Sequence, residues 1–124
     1  MFLSLKRLRV RTFLLAFLFA AAPVAHASQI KTLMRDMKAS MRGAMASSTM
    51  PQFSQYLTRL ENDVAQASRQ PYRDDPATYR EGMQTLQREF VPVDEAVRAN
   101  DLAGAKQALK KINATRKHYH DLLN

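Results

Sequence analysis

The chain has no cysteine and only three glycines among its 124 residues. Without thiols it can form no disulfide, no thiolate metal site and no iron–sulfur cluster. It also cannot attach haem through C-x-x-C-H. Glycine is confined to Gly43, Gly82 and Gly104, so no glycine-rich phosphate loop exists, and no H-E-x-x-H pair is present. Nor does any useful length alternate apolar and polar residues as a half-buried strand would. Asp74 and Asp75 are adjacent, but beside Pro71 and Pro76 they have the character of turn and cap residues. Glu89, Asp94 and Glu95 fall mostly off the apolar stripe of their segment. With no nucleophile or paired acid suggested, the expectation is a protein that is not an enzyme.

The first 27 residues differ from the rest. "MFLSLKRLRVRT" is basic, "FLLAFLFAAAPVA" is apolar, and "AHA" at 25–27 has the small-x-small form of a cleavage site. This is the layout of a secretory signal peptide, too short in its apolar part for a comfortable membrane span. Cleavage after Ala27 would leave residues 28–124 as one small domain in the periplasm, with no integral membrane span. The leader holds four of the 19 Lys and Arg and none of the 11 Asp and Glu, so residues 28–124 carry a net charge of +4. That excess is modest, and an exported chain rarely meets nucleic acid, so no nucleic-acid partner is expected.

Strong helix formers dominate what remains. Four segments place apolar residues at helical spacing. In 29–46, Ile30, Met34, Met37, Met41 and Met45 lie within about 80° on a helical wheel, with Leu33 on the flank. In 51–69, Phe53, Tyr56, Leu57, Leu60, Val64 and Ala67 form a stripe, opened by Pro51. In 76–99 the stripe is Tyr79, Met83, Leu86, Phe90, Val93 and Val97, with Asp75 as cap and Pro92 inside the run. In 101–122 it is Leu102, Ala105, Leu109, Ile112, Arg116 and Tyr119, continuing to Leu123. Four amphipathic helices with short connections predict an all-α, antiparallel up-down-up-down four-helix bundle.

The wheel separates the two histidines of "RKHYHDLL". Taking Leu109 as the centre of the buried face, His120 lies about 20° from it and His118 about 180° away. His120 is therefore expected to face the core and His118 water. In this topology the start of the first helix, the start of the third and the end of the fourth share one end. Met34, Tyr79, Met83 and His120 would converge there. A thioether facing an imidazole could ligate a haem iron from both sides, as in electron-transfer haem proteins. The four methionines of the first helix also admit another reading, a haem-free exported bundle that binds copper(I) or a protein partner. Adaptable core filler is the plainer account of Met37, Met41 and Met45.

Two stretches carry a resemblance to a known family. "ATRKHYHDLL" resembles the Thr-Arg-x-x-Tyr-His segment of the cytochrome b562 family, through Thr115, Arg116, Tyr119 and His120. "SQIKTLMRDMKASMR" resembles that family's first helix, with Met34 on its methionine. The likeness runs without a gap from Tyr79 to His120, includes "RAND" at 98–101, and is weakest around 46–75. It implies a periplasmic electron carrier with one non-covalent b-type haem, Met34 and His120 as axial ligands, and redox proteins as partners. Tyr79 and Met83 would line the haem where the family has two phenylalanines, and Arg116 would pair with a propionate.

Overall fold

The computed structural model describes residues 29–123, and the expected signal peptide lies outside them. Four helices account for nearly all of this span: α1 at 29–46, α2 at Met50–Ser68, α3 at Pro76–Arg98 and α4 at Leu102–Leu123. The connections at 47–49 and 99–101 are tight, and the longer one at 69–75 contains Pro71. Such short links make sequential helices antiparallel neighbours, and the chain forms the up-down-up-down bundle that its periodicity predicts.

Local chemistry sets the helix ends. The Thr49 hydroxyl accepts from the Gln52 amide at 3.4 Å, and Pro51 follows in the first turn of α2. Asp75 Oδ1 accepts from the Thr78 amide at 3.2 Å to start α3, just before Pro76. α3 ends in a Schellman motif. The Asp101 amide donates to the Ala96 carbonyl and the Asn100 amide to the Val97 carbonyl, both at 2.9 Å. Asn100 takes the left-handed position, with φ of 54°. Asp101 then caps α4, its Oδ1 accepting from the Gly104 amide at 2.9 Å. Pro92 lies on the exposed side of α3, which continues unbroken through it.

The core is densest at one end. There Met41 and Ala44 of α1 meet Phe53 and Leu57 of α2, Phe90 and Val93 of α3, and Ala105 and Leu109 of α4, all buried. Each large side chain removed from water here contributes about 1.5–3 kcal/mol. Met37 and Met41 are 1% and 4% exposed and Met45 packs against the same cluster, so the methionine stripe fills the core.

One polar group intrudes. Asp63 sits on the buried face of α2, 7% exposed, and its Oδ2 has no hydrogen-bond partner in the protein. Burial, and then the neighbouring Asp36 carboxylate, push its carboxyl up to about 7. Asp36 is held below the usual carboxylate range by a two-pronged pairing with Arg59, whose Nε donates to Oδ2 at 2.8 Å.

Candidate functional site

At the other end the bundle opens. The buried residues of α4 stop at Ile112, and the three turns beyond it are half-buried or exposed. Between those turns, the first turns of α1 and the start of α3 lies a cavity of about 520 Å³. That falls within the range of roughly 300–1,000 Å³ usual for ligand and cofactor sites. Met34 from α1, Tyr79 and Met83 from α3, and Arg116 and His120 from α4 all line it. All five residues singled out in the sequence therefore meet at one site.

Depth separates the five. Tyr79 and Met83 are buried, Met34 and Arg116 are half-buried, and the His120 side chain is 62% exposed. This corrects the expectation that His120 faces a packed core. The residue still lines the cavity, but the cavity is open at this level. The imidazole therefore stays in contact with water, with its Nδ1 3.9 Å from Asp121 Oδ1. His118 is exposed, as the wheel predicts, with its ring edge against Tyr119.

The cavity walls have their own order. The Tyr79 hydroxyl donates to the Ala67 carbonyl at 2.5 Å, tying α3 to the end of α2. Burial, and then Tyr72 beside it, push the Tyr79 phenol up to about 12, so it remains a neutral donor. Tyr72 stacks on Tyr79, with ring centroids 4.9 Å apart and planes 3° from parallel. Its hydroxyl reaches the Leu123 carbonyl at 3.2 Å, so one aromatic pair links α2, α3 and the end of α4. Sequence reasoning missed Tyr72, which belongs to no helical stripe. Its one signal was an aromatic residue within the polar connection "QPYRDDP".

Gly82 was also missed. A Cβ on it would lie 2.8 Å from Tyr119 Cγ, so the glycine lets that side chain approach α3 closely, one residue before His120. Arg116 donates from Nε and Nη2 to Asn113 Oδ1 at 3.3 and 3.2 Å, which orients its guanidinium along α4.

This donor set suits a haem. The thioethers of Met34, Met37 and Met83 and the imidazole of His120 line it, Leu86 and Tyr79 add apolar wall, and Lys31, Arg35, Lys38 and Arg116 supply cations. Among the described residues no group of three or more His, Cys, Asp or Glu could hold a bare metal ion, and no helix is long and apolar enough to cross a membrane. No curated protein matches the chain. The family model for cytochrome b562, in contrast, matches residues 29–124, from the start of α1 to the C-terminus. The chain belongs to the cytochrome b562 family of electron carriers, which bind a b-type haem without a covalent link.

Proposed function

We propose that the protein is an exported, periplasmic one-electron carrier in which Met34 and His120 are the two axial ligands of a single b-type haem. The observation that carries this reading is that both side chains line the same cavity, one from the start of α1 and one from the end of α4. The haem supplies an iron(III)/iron(II) couple, and His/Met ligation raises its potential. The protein's part is positional. Met34 and His120, on different helices, would hold the iron between them and would leave it no open position for a substrate or dioxygen. Tyr79 and Met83 exclude water from the apolar wall, and the Tyr79–Ala67 hydrogen bond fixes that wall in place. Arg116, already oriented by Asn113, retains N–H groups to pair with a propionate. Cleavage after Ala27 delivers the bundle to the periplasm.

Haemin titration tests the ligand pair. Wild-type protein is expected to take up one haem per chain and to show sharp low-spin bands on reduction. Met34→Ala and His120→Ala should each abolish those bands. A low-spin spectrum surviving in either variant overturns the assignment of that ligand, and Met83→Leu then asks whether the second thioether has replaced Met34. N-terminal mass analysis of exported protein should find Ser28 as the first residue.

A further inference from the structure

Charge is distributed unevenly over the bundle. α1 and α4 together hold nine Lys and Arg against two Asp, whereas α2 and α3 hold four against six Asp and Glu. At the cavity the bias is complete, because Lys31, Arg35, Lys38 and Arg116 line it and no Asp or Glu does. Lys31, Arg35 and Lys38 recur at helical spacing along α1, and all three are exposed. The one acid of α1, Asp36, is engaged by Arg59 of α2. Among the described residues no carboxylate lies within 4.0 Å of any of the three.

An ordinary solvated helix face interleaves both signs. Like charges four residues apart instead destabilise a helix. This row is therefore not a stabilising device. Its position around a concave mouth gives the cations a common field.

We propose that Lys31, Arg35 and Lys38 form a landing surface for an acidic patch on a redox protein, drawn to the cavity that these cations line. The proposal rests on the electron-carrier reading above. A protein partner suits the site better than an anionic membrane. Among the described residues, Leu122 is the one large exposed apolar side chain at this end, so they offer no apolar face to enter a bilayer.

Deca-glutamate serves as the acidic probe, mapped by amide NMR on haem-free and reduced haem-loaded protein. Shifts should concentrate at residues 30–38 and near Arg116, and should vanish at about 0.5 M salt. Lys31→Gln/Arg35→Gln/Lys38→Gln should weaken binding tenfold or more. Glutamine keeps helix propensity, so folding should persist. Lys106→Gln/Lys110→Gln/Lys111→Gln removes the same charge farther along α4 and should change affinity less than twofold.

Oxidation by ferricyanide gives a second readout. One electron passes from iron(II) to ferricyanide, giving iron(III) and ferrocyanide, with no bond or proton exchanged. That rate should fall with salt and drop about tenfold in the first triple variant. Equal effects of the two triple variants would show that only total charge matters and overturn the proposal. Binding to phosphatidylglycerol vesicles without binding to deca-glutamate would assign the surface to lipid and overturn it too. If the probe binds while no haem is taken up, the electron-carrier reading fails and the redox partner is withdrawn with it. Haem uptake without probe binding removes the landing surface alone.

Discussion

The two ends of this bundle are built from the same four helices and the same kinds of side chain, yet one is closed and the other open. At the closed end Phe53, Val93, Ala105 and Leu109 are all wholly buried. At the open end the corresponding inward positions of α1 and α4 are Met34, Arg116 and His120, none of them buried. The difference separates two duties. Packing at the closed end holds the helices together. At the open end the inward positions are given to groups that can bind a cofactor, and their burial is forgone.

The largest expected effect tests that division directly. Phe53→Ala at the closed end should lower unfolding free energy by about 3–5 kcal/mol, through lost transfer energy and a residual cavity. Met34→Ala should cost the haem-free protein far less, because half of its surroundings is already cavity. Urea melts of both variants measure the contrast, and equal losses would erase the distinction between the ends.

Filling the open end should then reduce the contrast. A ligand that binds only the folded state, at one hundred times its dissociation constant, stabilises by about 2.7 kcal/mol. Haem-loaded protein should therefore melt roughly 10–20 °C above haem-free protein. Identical melting temperatures would mean that the cavity does not couple to the fold. The gain should also be lost in His120→Ala.

Gly82→Ala alters the wall of the open end. The added methyl would come within 2.8 Å of Tyr119 Cγ, 2.9 Å of Cδ1 and 3.3 Å of Cβ, so the ring and its root must shift. Displacing the ring should cost more than the roughly 1 kcal/mol that alanine gains in helix propensity, leaving a net loss of about 1 kcal/mol. Because Tyr119 adjoins His120, haem affinity should fall as well. A stabilised variant with unchanged affinity would show that the ring moves freely.

Most of the fold was legible in the sequence, because helix periodicity reports direction and the caps report ends. Asp75 caps α3 as its residue type suggests it should, whereas Thr49 and Asp101 were settled as caps only by the structure. That Met34 and His120 would come to one end of the bundle was legible for the same reason. Depth was not, because a wheel cannot tell a filled axis from an empty one, and His120 was expected to be more enclosed than it is. Tyr72 and Gly82 escaped because their roles are set by contacts with α3 and α4, distant in sequence. Asp63 escaped because a carboxylate within an apolar stripe has no periodic signature. Its raised carboxyl reflects burial and then Asp36 of α1, distant in sequence.

That carboxylate gives the molecule a pH dependence. Asp63 and Glu61 are both pushed up to about 7, chiefly by burial, and then by Asp36 and by Asp94 respectively. A raised carboxyl binds its proton more tightly in the folded state. Its contribution is complete below the unfolded value, near 4, and is lost as pH rises through 7. Melting temperature should therefore fall between about pH 4 and pH 7. Asp63→Asn should flatten that slope and raise the melting temperature at pH 8 by about 4–8 °C, the equivalent of 1 kcal/mol. An unchanged slope would mean that water reaches Oδ2.

The smallest effect belongs to the turn between α3 and α4. Asn100 holds a φ of 54° so that two amides can close the Schellman motif. Asparagine tolerates this region better than most residues, and glycine enters it without a steric penalty. Asn100→Gly should therefore be neutral or stabilising by a few tenths of a kcal/mol, and Asn100→Ala should cost about 1 kcal/mol. Both changes should leave haem affinity untouched, because the turn lies at the closed end. If Asn100→Ala weakened haem binding as much as stability, strain would be travelling the full length of α4, and the two ends would be mechanically coupled.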